Sequence, residues 1–463
     1  MDKIVFGYEN YSEDENYFVD NCINFKCGDW GPCDTGGVIQ ETFRGVGAVS
    51  MTIKDIHENN IPNYIYPVGF RFFSEGFGID KPWELNNPNN TILRDGVKKS
   101  FLSEISDEAL QDIKSKRAKL LLYYPFEGTS KTSGRSALSL YPIILDEMDK
   151  YNIPIDNVSY CDSNLNLKKH MKEISKDLNV FSINYCALTY HELNVVDNKF
   201  QLYHGKNTRA TKNKKNILKF DKRSKYFLSY NRIPKSHRTA LVLSLFKNNL
   251  LSKGLVSYPQ MGMTGYDVVH NPDDWLKRNH FQDVIHDGDI LDDYEKYSVK
   301  LNNKLPLLLD KQDMSVCWSV THTTFNHYFD TYFSIVTESI FREAPQDDME
   351  LFISEKTWKP IMNYHPFIIV ASPFTLKKIR SYGFKTFHPF IDESYDVCLD
   401  NQQRFLMIEE QIKKLCEMPL EDLHDWYCSI IDTLEFNYSH FYNTFIPNQY
   451  KELENEFKNI LER

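Results

Sequence analysis

Glu338, Ser354, Glu355 and Lys356 belong to one stretch of the chain, Tyr332 to Asp396, and follow two apolar runs, Phe333–Val336 and Phe352–Ile353. Short β-branched runs of this kind read as buried strands. In a parallel α/β sheet, ligands sit beyond the carboxyl ends of the strands, which is where these side chains fall. Ser354 can cap a short helix starting at Glu355, leaving free N–H groups to face an anion. Lys356 adds a positive charge for a diphosphate, and a carboxylate such as Glu355 can accept both hydroxyls of a ribose. These are the parts of a site for a nucleotide-activated sugar. The same residues also describe a capping serine with a glutamate and a lysine on a solvated first turn. The second carboxylate, Glu338, at the preceding strand end turns the constellation toward function.

A second basic set lies upstream. Tyr226–Tyr230 reads as a strand, followed by Asn231-Arg-Ile-Pro-Lys-Ser-His-Arg238 and a helix from about Ser236 to Asn248. Arg232 and Arg238 offer planar bidentate contact to a diphosphate, with Asn231 at the strand end. A helix start whose basic residues are merely exposed is the other reading. Sugar transfer to a hydroxyl also needs a base. Glu127 follows the buried run Ala118–Tyr124 (AKLLLYY) and precedes Gly128; Asp162, after the strand Asn157–Tyr160, stands in reserve. Glu127 is equally a turn carboxylate.

The segments Val336-Thr-Glu-Ser339 and Phe352-Ile-Ser-Glu-Lys-Thr-Trp-Lys-Pro-Ile361 resemble the paired F-E-N-S and Y-(V/I)-T-E-K signature of fucosyltransferase-type GT-B glycosyltransferases. With Gly383-Phe-Lys-Thr-Phe387 and Asp392-Glu-Ser-Tyr-Asp396, they are more similar to a group of phage and bacterial glycosyltransferase-type sequences. That group also carries an N-R-x-P-x-x-H-R stretch like Asn231–Arg238. The likeness covers about the last half of the chain and departs from the fucosyltransferase pattern at Ser339 and Ser354. It implies an α/β fold of two Rossmann-like domains facing a cleft (GT-B-like), a nucleotide-sugar substrate and no metal or other cofactor. It also implies a terminal helix crossing back to the first domain. Asp287-Gly-Asp289 matches the D-x-D that holds a divalent metal in the other glycosyltransferase class, but acidic triplets of this kind are common in loops.

The elements that must position these groups alternate strand and helix. Ile4–Tyr8 reads as a first strand; the rest of residues 1–95 reads as irregular. A helix over Glu104–Lys116, the strand Ala118–Tyr124, a helix over Arg135–Tyr151, Asn157–Tyr160, a helix through Lys176 and Val180–Ile183 make a Rossmann-like half. Gly254–Tyr258 reads as a strand. The run Pro366–Ala371 suits a buried strand that stops at Ser372-Pro373, an N-cap and first helical proline. A helix to Gly383 and a strand FKTF follow. Gln402–Met418, Leu420–Tyr438 and Asn448–Leu461 read as terminal helices, punctuated by Pro419 and Pro447.

Composition sets the frame. The 463 residues suit two domains of roughly 200 each. The sharpest shift is the basic run Lys206–Lys225, either a solvated linker or a basic wall for a phosphorylated or nucleic-acid acceptor. It divides a Rossmann-like acceptor domain, residues 1–220, from a Rossmann-like donor domain with terminal helices, residues 226–463. A net charge of −10 argues against a chain devoted to nucleic-acid backbones. Nine cysteines, an odd number, point to reduced thiols and a cytoplasmic setting. Cys22, Cys27 and Cys33 could hold zinc, but they lack C-x2-C spacing, which favours buried free thiols in a loop. Phe70–Phe77 is core or an acceptor platform. His322 and His327 read as core-edge histidines. The N-terminus lacks a basic-then-apolar leader pattern, and no apolar run approaches the ~20 residues of a membrane span. The function expected is sugar transfer to an acceptor hydroxyl, on a glycan or a modified nucleobase in DNA. The alternative is a non-catalytic phage-type structural or host-binding protein that keeps the fold.

Overall fold

A computed structural model describes residues 4–8, 46–69, 102, 105–124, 137–172, 174–175, 177–188, 221–260, 281–309, 325–342 and 350–463. Glu127, the cysteines at 22, 27 and 33, residues 70–77, the basic residues of 206–220 and His322 lie outside these.

The first sheet is built from β1 (Val5–Tyr8), β2 (Val49–Thr52), β3 (Tyr64–Gly69), β4 (Ala118–Tyr124), β5 (Val158–Asp162) and β6 (Asn179–Ser182). Their order is β2-β1-β3-β4-β5-β6, and every pairing is parallel. The helices between them are α1 (Ile53–Glu58), α2 (Asp107–Lys114), α3 (Ala137–Tyr151) and α4 (Leu167–Lys172). The AKLLLYY run forms β4 without a shift. Its Leu120 and Leu122 pack with Ile113, Ile144, Met148 and Tyr160, and Leu121 is also buried. Strands covered on both faces are apolar without alternation, which is why this one stood out. The region 46–69, which reads as irregular, supplies β2, α1 and β3. β2 is short and largely half-buried, and β3 carries Pro67, which ordinarily argues against a strand. Pairing of β3 with β1 is confined to Phe6 opposite Ile65, which leaves room for a residue without an N–H.

The second sheet holds β7 (Lys225–Tyr230), β8 (Leu255–Ser257), β9 (Thr331–Thr337) and β10 (Phe367–Val370), ordered β10-β9-β7-β8 and wholly parallel. Its helices are α5 (Ser236–Lys247), α6 (Gly288–Asn302), α7 (Phe325–Asp330), α8 (Glu355–Met362), α9 (Thr375–Ser381), α10 (Asn401–Glu417), α11 (Leu420–Ser429) and α12 (Ile431–His440). A π-helical turn, Phe441–Phe445, leads into α13 (Ile446–Glu462). From β7 the chain steps to β8 on one side, then returns to place β9 on the other. The loops after β7 and β9 therefore flank the point where the winding reverses, the usual ligand position in open parallel sheets.

Several expectations in this half are corrected. Phe352–Ile353 is not a strand but extended chain entering α8. FKTF is not a strand either: the Phe387 amide bonds the Glu393 carboxylate at 2.7 Å rather than a neighbouring strand. Ser372 does not cap α9. Phe374 stands at the cap with φ of 67°, and Asp396 accepts from the Leu376 and Lys377 amides at 2.8 Å. The D-E-S-Y-D run thus supplies the cap from a distance. The expected helix Leu420–Tyr438 breaks at Ile430 into α11 and α12. Asp287-Gly-Asp289 is the amino end of α6 rather than a loop.

The chain forms two compact units that are not two continuous halves. One comprises Met1–Glu192, Gln346–Phe352 and Ile446–Arg463; the other comprises Leu193–Pro345 and Ile353–Phe445. The last helix, α13, belongs to the first of these units. Phe457 of α13 packs edge-on against Phe6 and Phe181 of the first sheet, at 5.1 and 6.2 Å. The fold is α/β, with two parallel open sheets and C-terminal helices.

Candidate functional site

The loop after β7 begins at Asn231, which is fully buried. Its amide reaches Ser257 of β8, its Nδ2 donates to Ser229, and its Oδ1 accepts from Thr337 of β9 at 2.9 Å. It holds three strand ends together and presents no free face. Arg238, in the first turn of α5, is also buried. Its guanidinium donates to the carbonyl of Ile233 at 2.9 Å and to those of Thr337 and Glu338 at 3.4 Å. The guanidinium, expected to meet a diphosphate, thus braces two loops. Lys235 donates to the Ser339 carbonyl at 2.8 Å. Arg232 lies half-buried in the same loop.

Glu338 follows β9 and is fully buried. Its Oε1 accepts from the Thr357 hydroxyl at 2.5 Å and the Ser354 amide at 3.1 Å; its Oε2 accepts from the Ser339 amide at 3.1 Å. Ser354 caps α8 through Oγ, which accepts from the Lys356 amide at 3.2 Å. The Thr357 amide bonds the Ser354 carbonyl. The Lys356 and Thr357 amides of the first turn of α8 are thus engaged by Ser354, and Glu338, brought to the helix end by β9, takes the Ser354 amide itself.

Two side chains of that turn stay partly open. Glu355 and Lys356 are 18% and 29% exposed and pair at 2.9 Å. Burial opposes ionisation of Glu355, but Lys356 and Lys359 outweigh it and hold the carboxyl down at about 2. Glu355 is thus a charged acceptor at any physiological pH. His237 is the reverse case. Burial first, then Arg238 and Lys235, push it well below the ordinary imidazole range. Neutral His237 donates Nε2–H to the Glu338 carbonyl at 2.7 Å and stacks on Phe341.

The structure therefore joins Glu338, Ser354, Glu355 and Lys356 in one network, with Asn231 and Arg238 bracing it. Asp162 belongs to the other unit. It is fully buried, accepting from the Asn164 amide at 2.8 Å and the Tyr160 hydroxyl at 3.1 Å. Sequence reasoning missed His237, Lys235, Thr337 and Thr357 as parts of the site. They were legible only as members of the P-K-S-H-R, V-T-E-S and S-E-K-T runs. His327 meets the Tyr230 hydroxyl at 2.6 Å.

No protein-family model matches the chain, and no curated protein matches it. Among solved structures, the chain is similar to a Candida albicans trehalose-6-phosphate phosphatase N-terminal domain, with a TM-score of 0.39 and 8% identity over 88% of this chain and 72% of that one. It is similar to an α,α-trehalose 6-phosphate synthase from Burkholderia multivorans, with a TM-score of 0.34 and 12% identity over 93% and 78% of the two chains. For a trehalose-6-phosphate synthase named OtsA the TM-score is 0.38, with 10% identity over 99% of both chains. At scores this low nothing about substrate follows. Among the described residues, no helix is long and apolar enough to cross a membrane.

Proposed function

We propose that this protein is a glycosyltransferase that moves a sugar from a nucleotide-activated donor to an acceptor hydroxyl. The observation that carries this reading is the Glu355–Lys356 pair, ionised and partly open at the winding reversal of a parallel sheet. Glu355 would accept the ribose hydroxyls. Lys356 and Arg232 would bind the diphosphate and stabilise the charge that develops on it as it departs. Asn231, Arg238, Glu338 and Ser354 would hold those groups in place. Proton removal from the acceptor needs a base, for which Glu127 and Asp162 are the candidates. Glu127 takes precedence there, since the Asp162 carboxylate is buried and engaged by its own loop.

A thermal-shift panel of UDP-, GDP-, ADP- and CDP-sugars tests the reading. A ligand that binds only the folded protein must raise its stability. One donor should raise Tm in the parent and much less in Glu355→Gln, and slow donor hydrolysis should accompany it. A flat panel, with no hydrolysis of any donor, would overturn the proposal.

A further inference from the structure

Glu338 has no exposed surface with which to meet a ligand, yet four elements converge on it. Its amide bonds the Val370 carbonyl of β10 at 3.0 Å, extending the β9 ladder by one rung. Its carbonyl takes His237 and Arg238 of α5. Its carboxylate takes Ser354, at the cap of α8, and Thr357, within its first turn. Among the described residues, the donors to that carboxylate are neutral: the Ser354 amide, the Thr357 hydroxyl and the Ser339 amide. A buried carboxylate is unfavourable unless its oxygens are satisfied, and the positive end of α8 adds to that compensation.

From this convergence we propose that Glu338 is a positioning residue. It is an internal anion that seats the amino end of α8 on the sheet and so aims Glu355 and Lys356. It touches no part of the donor. The seating stands on the hydrogen bonds alone; the consequence for ligand binding rests on the donor site proposed above.

Two readouts separate these layers. The first is amide hydrogen exchange in the full-length protein. Glu338→Gln puts an amide NH2 where one oxygen now accepts, setting donor against donor whichever way it flips. Exchange at Ser354, Lys356 and Thr357 should speed by about tenfold to a hundredfold, the loss of one hydrogen bond to a charged group. The amides of β4 should not change. Thr357→Val removes one donor without touching the carboxylate and should give a smaller acceleration at the same amides; it carries the test if Glu338→Gln does not fold. Unchanged exchange at α8 in both variants would overturn the proposal.

The second readout is affinity for UDP, GDP, ADP and CDP beside their 2′-deoxy forms. The parent should prefer the ribonucleotide. Glu355→Gln and Glu338→Gln should each remove that preference, and the double variant should lose no more than either single one. Additive losses would mean that Glu338 meets the nucleotide itself, which would also overturn the proposal. Accelerated exchange in a protein that binds none of these nucleotides would uphold the seating and sink the donor reading alone.

Discussion

Lys356→Ala tests the donor site most directly, because one side chain there has two measurable jobs. Its Nζ lies 2.9 Å from Glu355 and 3.4 Å from the Ser354 hydroxyl. The first job is to keep Glu355 ionised. The carboxyl sits at about 2 instead of 4.5, a gap that corresponds to about 3 kcal/mol of folding stability. The folded value lies below the unfolded one, so this stability is fully present above about pH 4.5 and is lost as pH falls toward about 2. In Lys356→Ala, burial is opposed by Lys359 and the Glu355 amide without the nearest cation. The carboxyl should rise, and the acid limb of the stability curve should move to higher pH. The second job, under the proposed function, is to bind the diphosphate. Loss of one charge-assisted contact is worth about 1.5–3 kcal/mol, or about tenfold to 150-fold in Kd. Calorimetry at pH 7 with the best nucleotide of the panel reads the second effect; Tm between pH 2 and pH 7 reads the first. An unchanged Kd would remove Lys356 from the donor site. An unmoved acid limb would refute the electrostatic account of the pair.

Trp358 of α8 is fully buried against Phe384, Phe441 and Phe445, with centroids at 5.6, 5.8 and 4.9 Å. Trp358→Ala should lower unfolding stability by about 3–5 kcal/mol, and a denaturant midpoint close to the parent's would contradict that packing. Glu127→Gln should reduce kcat by about 10²–10⁴ while donor affinity holds; near-normal turnover would place the base elsewhere. Chelation should leave turnover unchanged, since Lys356 and Arg232 are assigned the charge. Activity lost with EDTA and restored by manganese would revive a metal role for Asp287 and Asp289.

Much of the fold was legible because apolar runs bounded by polar turns announce themselves. Leu120–Leu122 of AKLLLYY, Phe227–Ser229 of KYFLSY and the run ending in IIV are buried without a break, and no alternation confuses them. The candidate site was legible as a set of residue types at strand ends. What each residue does there was not. Glu338 and Glu355 look alike in the sequence, yet one is an internal acceptor with no exposure and the other is partly open beside a lysine. Arg238 looked like a phosphate ligand and is a buried brace.

The sequence by itself determined the α/β class, most strand and helix positions in the second unit, and the stretch in which the site lies. Those follow from local periodicity and from capping residues such as Ser354, which act within a single turn. The tertiary structure alone decided the strand orders, the capping of α9 by Asp396 and the seating of α8 by Glu338. Each of these is a meeting of groups far apart in the chain. A sequence pattern records that a residue is polar or apolar, but not which distant donor will satisfy it once both are buried.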